Sequence, residues 1–509
     1  MQKEGRTQRF LYGLVGSYGV IAAGVVYTLV SIPLVLKHIG LAELGLWSLS
    51  LQVAAYWSYI DLGVSQGLVR LLVEEKDRRR DGWYAALFNT AGVVAVAVCA
   101  ASVLGCIASG WAVSRVLRLS QHEAQVFQTL YWCSGLVAGI QMLQRRYAAA
   151  LLAHQRMDSL AKGDVVNLVL MLVVLWTFLK QGFGVMSLAA ASVAGALWTL
   201  VYSGAVAGRH DLTPRRGEGA TFSLGALAAL WRFGREVLML GFGTQVRNTV
   251  AVVALGRWVG AEAVGTWNVC TKAFVLIQQL NGRILDVGVY PLMELWSGGN
   301  RDRVRERFSE VVVLSGAVGA ILASNWAVLN QGFLLMWTGG SVHWDITNDL
   351  LFAAWVALAG INRCLTGFSG VSKVFTAVRW FPWLEAATTV VLSFCLAPSV
   401  GLPGILLAML LANLLFEGLA GALYLEKAVG LTGIWHVGIA RAYLIAAGCL
   451  GTMVATAFTA MNMAPGAVWA AAGMSALICV VWAYLMTPHG LRSELLTRIS
   501  QGFGSVSRL

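Results

Sequence analysis

GLAELGLW, Gly40–Trp47, and GAEAVGTW, Gly260–Trp267, stand 220 residues apart and share the spacing G-x4-G-x-W. Each copy sits between two long apolar runs. Each second run is followed by a charged segment, EEKDRRRD (Glu74–Asp81) in one case and NRDRVRER (Asn300–Arg307) in the other. Short glycine–tryptophan patterns recur by chance at membrane edges, but the shared order of run, motif, run and charged loop argues for a true repeat. The chain therefore reads as two copies of a six-span unit, a parallel repeat of the kind found in transporters whose halves are related about the membrane normal.

Working outward, 58% of the 509 residues are hydrophobic and 12% charged, against about 25% charged in soluble domains. Apolar runs long enough to cross a bilayer recur from end to end. The expected fold is an all-α integral membrane protein of about fourteen transmembrane helices. Spans are expected near residues 12–36, 44–72, 83–108, 126–152, 164–179, 184–207, 237–257, 264–295, 309–336, 350–371, 381–398, 403–425, 439–461 and 466–486. They divide into an N-lobe, 1–207, and a C-lobe, 237–425, two six-helix lobes related by a pseudo-two-fold axis. A linker, 208–236, joins them, and spans 13–14 with a tail, 426–509, complete the chain. Within the linker Phe222, Leu230, Trp231 and Phe233 stand among basic residues, which suits a cytoplasmic interfacial helix. The N-terminal MQKEGRTQRF leads into span 1 without a small-residue cleavage site, so it reads as retained.

Basic residues set the orientation. The N-terminus, alternate loops and the tail hold 27 Lys and Arg. The opposite set holds five: Lys37, Arg115, Arg118, Lys180 and Arg257. Both termini are expected in the cytoplasm. The net charge of +12 thereby records topology, and a nucleic-acid partner is not expected. The eight cysteines are scattered through apolar segments with no C-x-x-C pair, and no P-loop, H-E-x-x-H or dinucleotide fingerprint is present. No catalytic residue, metal site or cofactor is expected, and the chain reads as something other than an enzyme.

Span 2 carries Gln52, Tyr56, Tyr59, Gly63, Gln66 and Arg70 at spacings of 4, 3, 4, 3 and 4, one face of a helix. Span 8 carries Asn268, Lys272, Gln279, Arg283 and Asp286 on one face in the register the motif sets. The offset places Gln52 on Lys272, Tyr59 on Gln279, Gly63 on Arg283 and Gln66 on Asp286. Two equivalent helices thus present matched polar stripes. Five basic residues fall inside spans: Arg70, Arg247, Lys272, Arg283 and Arg363. Each costs about 2.5–3.5 kcal/mol at a helix centre on insertion scales, so they line a wet cavity, pair with acids or snorkel. Of the acids in spans, Glu294 and Glu385 are placed near ends, and Asp61 and Glu417 complete the set with Asp286. The middle reads net positive. Arg283 has Asp286 as a partner at i+3, while Arg70 and Arg363 lie within snorkelling reach of the interface. Asp61 lies off the stripe and reads as a helix–helix hydrogen bond.

The stretch Lys37–Asp77 resembles the second-span region of bacterial polysaccharide flippases of the Wzx type. These belong to the multidrug/oligosaccharidyl-lipid/polysaccharide exporter superfamily. The resemblance rests on Gly40, Gly45, Trp47, the Asp61-Leu62-Gly63 step and Arg70. It implies flipping of an undecaprenyl-pyrophosphate-linked oligosaccharide across the bacterial inner membrane by alternating access through a cationic cavity. The implied partners are that glycan, membrane lipids, a polysaccharide polymerase and glycosyltransferases. Arg70, Arg247, Lys272 and Arg283 would hold the pyrophosphate. Gln52, Tyr56, Tyr59, Gln66, Asn248, Asn268 and Gln279 would meet the sugars. Asp286 and Asp61 are the coupling candidates. The first span lacks the carboxylate expected of drug/cation antiporters in the superfamily, and Arg247-Asn248 stands where many relatives would carry an acid. The rival readings are a drug or organic-cation antiporter, which wants an acidic cavity, and a membrane glycosyltransferase or O-antigen ligase. The ligase wants a large periplasmic loop, whereas Thr338–Asp349 holds one histidine and no basic residue.

Overall fold

The computed structural model describes residues 6–61, 63–75, 82–214, 218, 221–372, 374, 377–460 and 465–487. Among them only helices and turns occur. In order these are α1 (Arg6–His38), α2 (Leu41–Ala54), a 3-10 segment (Ala55–Asp61), α3 (Val64–Glu75), α4 (Trp83–Val116), α5 (Gln121–Ala153), α6 (Met157–Lys180) and α7 (Met186–Arg209). Then come α8 (Leu224–Trp258), α9 (Ala261–Cys270), α10 (Lys272–Ser297), α11 (Arg301–Thr338), α12 (Ile346–Gly367) and the single turn α13 (Ser369–Ser372). The chain ends with α14 (Phe381–Val400), α15 (Leu402–Asn413), a π-helical stretch (Leu414–Ala420), α16 (Gly421–Lys427), α17 (Ala440–Ala460) and α18 (Pro465–Met486). The fold is all-helical and the protein spans a membrane many times.

Among the described residues, eleven helical segments are long and apolar enough to cross a bilayer. They coincide with expected spans 1, 3–6 and 9–14. The three that fall short are spans 2, 7 and 8, the spans that carry the polar stripes and Arg247. Span 2 is broken into α2, the 3-10 segment and α3, and span 8 into α9 and α10.

The chain packs as two compact units. The first comprises Met1–Gln245 with Leu255–Gly265, and the second Val246–Ala254 with Thr266–Leu509. In the first, α5 is central, touching α2, α3, α4 and α7. In the second, α11 takes that place against α10, α12, α17 and α18. Lipid is as apolar as a leucine face, so helices in membranes associate through small residues and short polar contacts. Both units use the same device. Ser102 on α4 donates to the Gly135 carbonyl of α5 at 3.1 Å, and Ser315 on α11 donates to the Gly360 carbonyl of α12 at 3.1 Å.

The segment expected as a separate interfacial helix is instead the beginning of α8, which runs for 35 residues without a break, ~52 Å at 1.5 Å per residue. Ser223 starts it: its hydroxyl accepts from Ala226 N and its own N–H donates to Thr90 of α4. The amphipathic pattern is real. Leu230 is buried with Leu68, Leu72 and Leu87, whereas Phe222, Leu224 and Trp231 are exposed. The Phe233 side chain lies outside the described residues.

The motif glycines have a direct structural reason. Within the first unit, α2 crosses the start of α9. A methyl on Gly45 would fall 1.8 Å from the Ala261 carbonyl oxygen, and a methyl on Gly265 would fall 2.0 Å from that of Leu41. Only glycine lets the two backbones approach so closely. The motif tryptophans are packing residues: Trp47 is buried, and Trp267 meets Trp344 and Phe352 edge-on at centroid separations of 6.5 and 5.2 Å.

Candidate functional site

Asp61 belongs to the break in span 2. Its Oδ1 accepts from Gly63 N at 3.0 Å and its Oδ2 from Ser65 N at 3.2 Å. It therefore satisfies two of the N–H groups that a helix start leaves without partners. Gly63 takes φ +80°, a left-handed turn natural to glycine, and its backbone lies directly against Gly234 of α8. Arg145 on α5 stands 3.8 Å from Asp61 Oδ2. The expected helix–helix hydrogen bond is thus replaced by a cap on Asp61's own chain with an arginine behind it. The even stripe of span 2 is correspondingly interrupted. Gln52 ends on α2, while Tyr56 and Tyr59 lie half-buried on the 3-10 segment, both edge-on to Phe242 at 5.8 and 5.4 Å. Arg70 is exposed on α3 and bonds Glu74 at 3.3 Å. The Gln66 side chain lies outside the described residues.

The stripe of span 8 survives. Lys272, Gln279, Arg283 and Asp286 are all accessible on one face of α10, while Phe274, Ile277 and Leu285 are buried. Asn268 lies before the break, half-buried on α9. The break has a visible cause. Asn330 Nδ2 on α11 donates to the carbonyl of Cys270 at 3.3 Å and to Asp349 Oδ1 at 2.7 Å. Trp344 Nε1 adds a second bond to the same Oδ1 at 2.9 Å. A side chain set against the end of α9 in this way is a known source of helix kinks. Asp286 pairs with Arg363 of α12 at 3.1 Å, not with Arg283. Lys272 and Arg283 form no salt bridge among the described residues.

Arg247 has a different environment from the accessible face the sequence suggests. Its Nη1 donates to Glu417 Oε1 and, at 3.3 Å, to Glu385 Oε2. Asn413 Nδ2 bridges the remaining oxygens, Glu385 Oε1 and Glu417 Oε2, at 3.0 Å each. Asn362 donates to Asn413 Oδ1 at 2.7 Å, and the Tyr443 hydroxyl donates to Asn362 Oδ1. Glu385, Glu417, Asn413 and Asn362 are all buried. The network joins α8, α14, α15, the π-helical stretch, α12 and α17 within the second unit. Glu385 does stand in the opening turns of α14, but it is a buried partner of Arg247, and this part of the second unit is not net positive. The π-helical stretch shapes the site: Asn413 stands just before it and Glu417 within it, so its first turn sets the amide beside the carboxylate it bonds. Asn248, next to Arg247, is exposed.

Arg145, Asn413, Asn362 and Tyr443 thus join the polar sites without having been singled out from sequence, and Glu385 and Glu417, named there only as acids within spans, join as partners of Arg247. A signal existed for part of the set: an intramembrane arginine demands partners, and Asn413 and Glu417 stand at i and i+4, on one face of a helix.

A solved lipid II flippase MurJ in an inward closed conformation matches with a TM-score of 0.70 at 12% identity, covering 95% of this chain and 100% of that one. An inward-facing multidrug resistance MATE family transporter of the MOP superfamily matches with a TM-score of 0.59 at 12% identity, covering 80% and 99%. A MOP superfamily transporter from Pyrococcus furiosus, described by the reverse polarity of its binding pocket, matches with a TM-score of 0.53 at 12% identity, covering 84% and 94%. At such identities the likeness is one of fold. A comparison with curated proteins finds no match. The family model described as polysaccharide biosynthesis protein matches residues 14–294, more than half of the chain, and the chain belongs to that family.

Proposed function

We propose that the protein flips a pyrophosphate-linked, polyprenyl-anchored oligosaccharide from the cytoplasmic to the periplasmic leaflet of the bacterial inner membrane. It acts by alternating access through a cationic cavity, with both termini in the cytoplasm, and as a transporter with no catalytic chemistry of its own. Fourteen spans in two six-helix lobes plus two C-terminal helices form the frame. The observation that carries the reading is the accessible stripe on α10, where Lys272 and Arg283 stand without a carboxylate partner among the described residues. Ammonium and guanidinium groups left in this state suit a phosphate-bearing head group. Gln279 beside them, Asn268 on α9, and Gln52, Tyr56 and Tyr59 in the first unit offer the hydrogen-bonding and stacking groups that sugars use. Membership in a polysaccharide biosynthesis family and likeness to a protein named as a lipid II flippase support the same class of cargo. Glycosyltransferases and a polymerase would supply and consume it.

The drug-antiporter alternative calls for an acid open to a cationic ligand. Glu385 and Glu417 are buried and already hold Arg247, and the accessible Asp286 is paired with Arg363, which disfavours it.

Each charge-assisted contact to the head group is expected to contribute about 1.5–3 kcal/mol, roughly 10–100-fold in affinity. Lys272→Ala should abolish surface glycan in cells while the protein still inserts, and Lys272→Arg should restore part of it. Normal glycan export by a Lys272→Ala/Arg283→Ala variant at native expression would overturn the proposal.

A further inference from the structure

Arg247 faces two acids at once. Counted with both acids ionised, two carboxylates and one guanidinium leave one negative charge over, in a cluster whose remaining members are neutral. The groups around the acids can be named element by element: Arg247 from α8, Glu417 from the π-helical stretch, Asn413 from α15, Asn362 from α12 and Tyr443 from α17. Arg379, in the turn before α14, lies over the Trp380 ring.

Two features make the arginine exchangeable. Both acids are held through the same Nη1, so whatever draws the guanidinium away uncovers them together. The exposure is also lopsided: 22% of the Arg247 side chain is accessible, against 3% for Glu385 and 9% for Glu417. Of the three side chains the arginine is the most open to an approaching anion. Meanwhile the Tyr443–Asn362–Asn413 chain keeps its bonds to the carboxylates, so the acids stay together when the guanidinium leaves.

We propose that Arg247 passes between the Glu385/Glu417 pair and an oxyanion of the cargo head group, and that the pair takes up one proton from solvent when the anion takes the arginine. No covalent bond changes. The guanidinium exchanges carboxylate for phosphate oxygen, and the incoming proton removes one charge from two carboxylates left side by side, which cannot both stay ionised without their cation. Head-group binding and proton uptake are thereby linked, and linkage is reciprocal. The inference rests on the reading of the cargo as a pyrophosphate-bearing lipid.

The test uses the purified full-length protein in detergent, with inorganic pyrophosphate as the probe. Binding is followed by calorimetry in buffers of different ionisation enthalpy, which counts protons per ligand. The Glu385→Gln/Glu417→Gln variant provides the baseline, because the probe's own titration is common to both proteins. The wild type should take up to one proton more per pyrophosphate than the variant. Its affinity relative to the variant should rise by up to tenfold for each unit that pH falls. Arg247→Gln supplies a second comparison if the double variant fails to fold: it should bind pyrophosphate more weakly through Lys272 and Arg283, without the extra proton. Binding with equal proton counts in all three proteins would overturn the exchange and leave the head-group reading standing. Absence of pyrophosphate binding by the wild type would overturn both.

Discussion

Removing a charge from the Arg247 cluster has different consequences depending on which charge goes. Arg247→Leu leaves two buried carboxylates facing each other, and taking one partner from a buried pair costs about 3–5 kcal/mol. Glu385→Gln leaves the Arg247–Glu417 pair in place and keeps an oxygen for the guanidinium, so it should cost less. In the combined Arg247→Leu/Glu385→Gln variant part of the loss should be recovered, because residues in one network do not act additively. Chemical unfolding in detergent measures all three, and a single acid substitution more damaging than Arg247→Leu would contradict this account. The cluster was only half legible in the sequence. The cost of an intramembrane arginine was plain, but its partners lie 138 and 170 residues away. Hydrophobic patterning says how deep a residue lies along its own helix, not which neighbour it turns toward. Glu385 lies near the start of α14, and that depth alone does not reveal its partner.

The break in span 2 shows what periodicity can conceal at the level of an element. Six positions at helical spacing describe a straight face, and they fall on α2, a 3-10 segment, the turn at Gly63 and α3. The signal that competes with the stripe is local: Asp61, Gly63 and Ser65 form a capping sequence, an acid ahead of the N–H groups it accepts from and a glycine for the turn. A long apolar run outweighs such a cue when spans are sought by composition, which is why the stripe reads as one continuous face although the helix breaks. Asp61→Ala should cost about 0.5–2 kcal/mol through the lost cap. Gly63→Ala should cost about 1–2 kcal/mol from the left-handed backbone alone, and more because a methyl would fall 2.4 Å from the Gly234 carbonyl oxygen. The two together should fall short of their sum, since both act on one break. Thermal unfolding of the purified protein checks this. A Gly63→Ala protein as stable as wild type would mean that span 2 continues as an unbroken helix.

On the scale of the whole molecule, eleven spans were readable because a bilayer tolerates so few sequences: a long apolar run has no other place to be. The three remaining spans are polar for the reason that makes them interesting, since they carry the stripes and Arg247. If all fourteen cross, a cysteine placed in the C-terminal tail and one placed ahead of α1 should both resist an impermeant thiol reagent in intact cells and react after lysis. Labelling of the tail from outside would mean an odd number of crossings. The eight-residue motif suggests a repeat, and the crossing of α2 with α9 adds a deeper consequence to that reading. Residue 45 meets residue 261 as residue 265 meets residue 41, and each pair is the other shifted by the repeat. Such reciprocity is the mark of a surface meeting its own copy. In an unduplicated ancestor that paired with itself, one glycine would have served both sides of this contact, and every substitution there would have been felt twice. On the reading of a duplicated chain, that one position is now two, Gly45 and Gly265. Each became free to vary alone, yet both are still glycine.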